Sequence, residues 1–165
     1  MELRILKPSD ANNYRCIRLE ALQNSPEAFA SSYEEEKERQ VEKYIKQIQS
    51  KDSFTIGAFE KGTLFGVITL IKEPLFKLKH KASIVAMYVS PEKRGIGIGK
   101  DLLTEVIKNA NDLEGIEQIY LTVVTKNETA KRLYSSMGFE VFGTEKKALK
   151  CDNTYFDEAH MVLFL

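Results

Sequence analysis

The stretch from Met87 to Lys100, MYVSPEKRGIGIGK, constrains the fold more than any other part of the chain. A short apolar strand runs into a proline turn, where the strand must end because proline donates no ladder hydrogen bond and restricts the residue before it. Apolar residues then recur from Leu102 to Ala110 at the i, i+1, i+4, i+5, i+8 spacing of a helix with one buried face. Gly95, Gly97 and Gly99 therefore lie where a strand becomes a helix.

A helix start of this kind favours a bound anion. The first four N–H groups of a helix have no partner within it, and the helix dipole places partial positive charge at that end. Glycines allow a ligand to approach the backbone closely, and Lys93, Arg94 and Lys100 add full positive charges. The stretch predicts a phosphate or pyrophosphate site. The alternative is a glycine-rich turn that binds nothing.

Two common phosphate-binding motifs do not fit this stretch. Counted from Gly95 or Gly97, a G-x-G-x-x-G fingerprint meets lysine or leucine where its last glycine belongs. A P-loop would place arginine at its first glycine and aspartate at its hydroxyl position. The pattern that does fit is R-x-x-G-x-G, formed by Arg94, Gly97 and Gly99.

A second motif follows about thirty residues later. The segment from Asn127 to Phe139, NETAKRLYSSMGF, matches the pattern N-x-x-A-x-x-L-Y-x-x-x-G-F at every letter. By periodicity alone, Tyr134 would be a core tyrosine on an apolar helix face. Together, the two motifs resemble those of the GNAT superfamily of acetyl-CoA-dependent N-acetyltransferases. The resemblance covers nearly the whole chain in element order and is least informative before about Ser50.

The resemblance implies an α/β (α+β) fold with a GNAT-like mixed, mostly antiparallel central sheet of about seven strands and helices on both faces. It implies one N-acetyltransferase domain over residues 1–165. The residue pattern agrees, with strands and helices alternating in the order of that fold. Strands are predicted over 2–7, 54–59, 64–71, 76–89, 118–124, 139–148 and 155–165, and helices before Ser25, over 41–48, after Gly99 and after a capping box of Thr125 and Glu128.

The resemblance also implies the site residues. In the family the R-x-x-G-x-G segment cradles the pyrophosphate of coenzyme A, the asparagine contacts the pantetheine arm, and the tyrosine is the general acid for the departing thiolate. Tyr134 takes the last role here, and the acceptor is expected beside the loop from Ser25 to Glu36. The coenzyme-binding set is Met87, Val89, Arg94, Gly95, Ile96, Gly97, Ile98, Gly99, Lys100 and Asn127, and the acceptor-binding set is Phe29, Tyr33 and Glu34.

The implied function is transfer of an acetyl group from acetyl-CoA, a cosubstrate, to a primary amine by direct attack. The family often uses a glutamate or ordered water as the base, and neither can be placed from the sequence. A non-catalytic acyl-CoA-binding or regulatory module is the alternative. The acidic run near Glu34 is open to a second interpretation, because carboxylates in the first turn of a helix are favoured by its dipole.

Composition limits the partners. Lys plus Arg and Asp plus Glu number 24 each, so no overall field favours nucleic acid or an anionic membrane. Cys16 and Cys151 make no disulfide framework, and His80 and His160 have no metal-ligand spacing, so we expect free thiols and no metal. With no signal peptide or membrane span recognisable, we expect a cytoplasmic protein acting on a small-molecule or peptide amine. A homodimer is compatible with the sequence.

Overall fold

Seven strands and five helices account for most of the chain, and the computed structural model describes all 165 residues. The strands are β1 (Glu2–Ile5), β2 (Ser53–Glu60), β3 (Thr63–Lys72), β4 (Lys81–Val89), β5 (Gln118–Val124), β6 (Glu140–Cys151) and β7 (Thr154–Phe164). The helices are α1 (Ala11–Asn24), α2 (Tyr33–Lys37), α3 (Val41–Ile48), α4 (Ile98–Asn111) and α5 (Glu128–Ser136).

The strands form one sheet in the order β1-β2-β3-β4-β5-β7-β6. Every neighbouring pair is antiparallel except β4 and β5, which are parallel because α4 connects them as a crossover. The predicted mixed, mostly antiparallel sheet of seven strands is confirmed.

Helices cover both faces of the sheet, as predicted. On one face, α4 and α5 pack over a core that includes Ile68, Leu102, Leu103 and Met161. On the other face, α1 and α3 pack over a second core that includes Tyr14, and the two cores share the strands between them because successive side chains of a strand point to opposite faces. None of these helices combines the length and the apolar character that crossing a membrane requires.

A bulge interrupts β4 in its second half. Thr69 of β3 lies opposite Val85, but Val67 lies opposite Tyr88, so β4 holds one extra residue. Ala86, within the bulge, has a φ of 54°, in the left-handed region. Because one inserted residue moves every later side chain to the other face, Tyr88 packs in the core beside α1, while Met87 packs in the core beside α4 and α5.

The two parallel strands separate beyond their first residues. Only residues 81–83 of β4 pair with residues 118–120 of β5. The Ser90 amide donates to the Phe65 carbonyl of β3. Because backbone groups alternate in direction along a strand, those of Val89 point away from β3, into the gap between β4 and β5. The second half of β4 therefore presents backbone hydrogen-bonding groups to an opening in the sheet.

Three local predictions were wrong. Residues 76–78 form a 3₁₀ turn and β4 begins only at Lys81, because alternating lysine and apolar residues after Pro74 imitate the period of a strand. The capping box of α5 is absent; Asn127 is the N-cap, and its Oδ1 accepts the Ala130 amide at 3.1 Å. The first of the two closing strands was predicted to end at residue 148, but β6 continues to Cys151 and meets β7 at a two-residue turn, residues 152–153, both with positive φ.

Candidate active site

A cavity of about 970 Å³ lies where β4 and β5 separate. The second half of β4, the end of β5, the start of α4 and one face of α5 line one end of it. The other end is lined by α1, by the segment that follows it and by α2 and α3. The sheet opening and the helix start described in the sequence therefore border a single cavity.

The start of α4 exposes unpaired amides to this cavity. Gly95 and Gly97 have φ values of 79° and 93°, which L residues with side chains rarely adopt. The first intrahelical bond runs from the Asp101 amide to the Gly97 carbonyl at 3.0 Å, so the amides of residues 98–100 have no helical partner. An ideal Cβ at Gly97 meets no atom within 4 Å, which leaves this backbone open to a ligand.

The cations of this segment are held in different ways. Arg94 donates its Nε to the Val89 carbonyl at 2.8 Å, and its guanidinium lies 5.4 Å from the Tyr88 ring centre. Lys93 forms an ion pair with Glu60. Lys100 lies in the first turn of α4 at the cavity edge with no ion pair. Arg94 and Lys100 thus supply the positive charge beside the open amides.

Tyr134 lies on α5 with its side chain buried against the same opening. Its ring packs edge-on against Phe139 at 6.0 Å, and its hydroxyl group lies 3.3 Å from the sulfur of Met87. Burial raises the pKa of Tyr134 to about 12. Since a thioether is a weak acceptor, the hydroxyl proton has no strong partner within the protein.

The structure brings most of the predicted site residues to this cavity. The lining includes Met87, Val89, Arg94, Gly95, Gly97, Ile98, Gly99, Lys100, Asn127, Tyr134 and Phe29. Ile96 is 70% exposed and lies outside it. Tyr33 and Glu34 also lie outside it. Tyr33 is half-buried at the start of α2, and Glu34 is exposed and pairs with Lys37 at 2.5 Å. Their assignment to the acceptor remains a prediction.

Sequence reasoning missed a buried ion pair at the other end of the cavity. Glu36 of α2 is 2% exposed; one carboxylate oxygen accepts Arg18 at 2.6 Å and the other accepts the Tyr44 hydroxyl at 3.0 Å. Burial alone would raise the pKa of Glu36, but the hydrogen bond and charge of Arg18 outweigh it and lower the pKa below its ordinary value. Glu36 belongs to the acidic run, yet nothing in its spacing distinguishes it from the exposed Glu34.

Sequence reasoning also missed Glu158 of β7, which lines the cavity opposite Val124 of β5. Burial and the charge of Glu145, its cross-strand neighbour on β6, raise the pKa of Glu158. No ion pair of the protein includes it. Its position within the strand FDEAHMV was the available signal, since an acidic residue there must face a polar space or a partner.

Comparison with known proteins identifies relatives for this architecture. A family model described as an acetyltransferase (GNAT) domain matches residues 3–160. Over 107 residues the chain is 31% identical to the N-alpha-acetyltransferase RimI of Mycobacterium tuberculosis, an alignment that covers 63% of each chain. The chain spans between 23% and 64% of the lengths of the curated relatives that it matches.

Solved structures share the fold over nearly the full length. A GNAT family acetyltransferase from Streptococcus pneumoniae superposes with a TM-score of 0.87 at 21% identity, covering 99% of both chains. The protein yncA from Salmonella typhimurium, solved with its cofactor acetyl-CoA, superposes with a TM-score of 0.86 at 19% identity, covering 100% of this chain and 94% of the other. At these identities the likeness concerns the fold.

Proposed function

The chain belongs to the GNAT acetyltransferase family, and from this premise we propose that it transfers an acetyl group from acetyl-CoA to a primary amine by direct attack on the thioester. The observation that carries the proposal is one cavity that combines an unpaired helix start, an open strand edge and a buried tyrosine hydroxyl group. The first two features suit coenzyme A, and the third suits its departing sulfur.

The coenzyme would follow the opening in the sheet. Its pyrophosphate fits the free amides of residues 98–100, with Arg94 and Lys100 beside them. Its pantetheine amides fit the backbone of β4 near Val89 and the side-chain amide of Asn127, whose nitrogen has no partner within the chain. Because Arg94 already occupies the Val89 carbonyl, the Val89 N–H is the backbone group left for the ligand.

The protein contributes proximity and proton transfer. Holding the thioester and the amine in one cavity makes the attack effectively unimolecular. Acetyl-CoA supplies the activated acyl group, so no covalent attachment to the enzyme is needed. The Tyr134 hydroxyl would donate its proton to the leaving sulfur, since it is protonated at neutral pH and otherwise faces only the sulfur of Met87.

We assign the role of general base to Glu158. The attacking amine must be neutral, so a group near the acceptor must remove its proton. Glu158 lies on the cavity wall without an ion pair, and the raised pKa makes it a better proton acceptor than an ordinary carboxylate. Its nearest charged neighbours across the sheet are Glu145 and, through Glu145, His160.

The acceptor in this proposal is a small-molecule amine or a peptide amine. A cytoplasmic location would suit this activity and the two unpaired cysteines, one of which, Cys16, is exposed. A homodimer is compatible with the sequence, and light scattering of the purified protein tests whether it forms.

The function is tested by incubating the purified protein with acetyl-CoA and a broad panel of amines while the released CoA thiol is measured. Calorimetric titration with coenzyme A runs in parallel. We expect binding of coenzyme A and amine-dependent thiol release. Binding without turnover on any amine would favour the non-catalytic acyl-CoA-binding module instead, and absence of binding would refute both.

A further inference from the structure

We propose that the acceptor carries a carboxylate group in addition to its amine, as a free amino acid does, and that Arg18 binds this carboxylate. The inference rests on the proposed function, because it names the acceptor class of the same cavity. Its starting point is the arrangement of charge at the end of the cavity lined by α1, α2 and α3.

Arg18 is fixed in place but only partly used. Its side chain is 11% exposed, one terminal nitrogen bonds to Glu36 at 2.6 Å, and its guanidinium lies 5.1 Å from the ring centre of Phe29. A guanidinium has five N–H donors, and this ion pair is the single hydrogen bond that the Arg18 side chain makes. Arg18 also lines the cavity, so donors remain for a ligand there.

Glu36 cannot itself receive the ligand. Both of its oxygens are occupied, one by Arg18 and the other by the Tyr44 hydroxyl, and the side chain is 3% exposed. Its role toward Arg18 is therefore positioning. An arginine held on one side by a carboxylate and on another by an aromatic ring is preorganised for bidentate recognition of a planar anion.

The balance of charge favours a single negative charge on the ligand. Arg18 and Arg39 line this end of the cavity together with Glu36, which leaves one net positive charge. A carboxylate matches that charge better than a doubly charged phosphate does. Glu158, on the β7 side, is the carboxylate that faces the cavity without an ion pair. The cavity wall thus offers an arginine for an anion and a free carboxylate for an amine, which match the two charges of an amino acid.

The other cations of the cavity are committed elsewhere. Lys93 pairs with Glu60, Arg94 bonds to the Val89 carbonyl, and Lys100 lies at the start of α4, where the coenzyme phosphates fit. Arg18 and Arg39 are the cavity arginines that the coenzyme does not need, and of the two only Arg18 is held in place by a buried carboxylate, while Arg39 is exposed. The contact of Arg18 with the Phe29 ring also places it beside the loop from Ser25 to Glu36, where the acceptor is expected.

The experiment compares matched acceptors. The twenty L-amino acids, their carboxamides and the corresponding amines without the carboxyl group are tested with acetyl-CoA. We expect at least one amino acid to exceed its carboxamide at least 10²-fold in kcat/KM. Equal rates for an amino acid and its carboxamide across the panel would overturn the proposal while leaving acetyl transfer intact.

The variant Arg18→Lys keeps the charge but removes the planar donor pair. We expect KM for the preferred amino acid to rise tenfold or more with kcat little changed, and the carboxamide to be unaffected. Because removing the charge of Arg18 alone would leave Glu36 buried without a counter-charge, it is removed with the double variant Arg18→Met/Glu36→Gln, which should abolish the discrimination. Unchanged discrimination in both variants would contradict the assignment.

Arg15→Lys is the matched control. Arg15 lies on the same helix and donates to the carbonyls of Arg39 and Lys37 at 3.2 and 2.9 Å, but it does not line the cavity. It should retain the preference of the parent protein. If no amine is acetylated, the proposed function fails, and calorimetry of amino acids against carboxamides on the coenzyme A complex then decides the carboxylate site by itself. No difference in that binding would refute it.

Discussion

At the scale of single side chains, the hydroxyl group of Tyr134 combines two properties that a proton donor needs. Burial raises its pKa to about 12, so it stays protonated at neutral pH. Its neighbour within the chain is the sulfur of Met87 at 3.3 Å, a weak acceptor that a thiolate would readily displace. Kinetics separates a catalytic phenol from a core tyrosine that shares these properties.

We expect Tyr134→Phe to lower kcat roughly 10²-fold with little change in acetyl-CoA affinity, because the ring is kept and only the donor is lost. Steady-state kinetics and calorimetry measure the two effects. Tyr120→Phe is the control, since that hydroxyl bonds to Gln118 at 2.6 Å and lies outside the cavity. A normal rate for Tyr134→Phe would reduce the tyrosine to core packing.

Glu158 should determine the acid limb of the pH–rate profile, the range in which activity falls as the pH decreases. Burial and the charge of Glu145 raise its pKa, so kcat/KM should fall as the pH decreases through a value above that of an ordinary glutamate. Glu158→Gln should lower kcat/KM by roughly 10²-fold and remove this limb. The pH–rate profile is the measurement.

The variant Glu145→Gln tests how far the charge of Glu145 sets the pKa of the proposed base, Glu158. Without the charge of Glu145, the pKa of Glu158 should fall toward its ordinary value, so the acid limb should move to lower pH while the rate near neutrality is kept. An unchanged limb in both variants would mean that another group removes the proton from the amine.

The sequence reveals residues that belong to contiguous motifs and hides those that tertiary structure assembles. Arg94, Gly97 and Tyr134 lie in patterns with fixed spacing, and all three line the cavity. Arg18 and Glu36 are eighteen residues apart on different helices and meet only when α2 folds against α1. No spacing within the sequence encodes such a contact.

At the scale of elements, the start of α4 depends on its backbone and not on its side chains. Gly97 adopts a φ of 93° with open space around it, and the amides after it are unpaired. A side chain at this position would strain the backbone and occupy the space above these amides.

We therefore expect Gly97→Val to lower coenzyme A affinity at least tenfold in a protein that still folds, measured by calorimetry. Gly115→Val is the matched control. Gly115 has a φ of 87° and equally open surroundings but lies outside the cavity, so its variant carries similar strain without blocking the ligand. Equal coenzyme A affinity in the two variants would contradict the placement of the coenzyme site at the start of α4.

The bulge of β4 shows what pattern analysis misses at this scale. The residue with a left-handed backbone conformation is Ala86. Glycine and asparagine are the residues usually found in that conformation, so an alanine gives no sign of a bulge in the sequence. The strand itself is evident from its β-branched and aromatic residues. The change of facing that brings Met87 to Tyr134 follows only from the register with β3.

At the scale of the whole molecule, buried carboxylates link different strands and helices to one another. Asp10, at the start of α1, accepts two bonds from Arg4 of β1 at 2.7 and 2.9 Å and a third from the Lys7 amide at 2.7 Å. The hydrogen bond from Arg4 is the main reason that the pKa of Asp10 is lowered from its ordinary value of 3.8. Glu36 links α1, α2 and α3 in the same way.

These groups should make the protein less stable in acid. A carboxylate with a lowered pKa in the folded state adds stability that is fully present above its unfolded pKa and is lost as the pH falls through the folded value. We expect Asp10→Asn to reduce the free energy of unfolding by roughly 2 kcal/mol at pH 7 and by progressively less as the pH falls below the ordinary value of 3.8. Urea unfolding across this pH range measures the difference.

Glu114→Gln is the control for that measurement, because Glu114 is exposed and makes no ion pair. Its effect should stay within about 0.5 kcal/mol at every pH. If the loss in free energy of unfolding caused by Asp10→Asn does not become smaller in acid, lost packing and not lost charge is its cause.

The short pairing between β4 and β5 has a consequence for amide hydrogen exchange. Three residue pairs join the ladder of strands β1–β4 to that of strands β5–β7, so the two halves of the sheet share few backbone hydrogen bonds and are held together mainly by the common core under α4. A bound pantetheine arm would bond to the open edges and act as a removable strand between them. Amide hydrogen exchange along residues 84–89 and 121–124 should then slow when coenzyme A is added, because the bound arm adds partners for the backbone groups at the open edges.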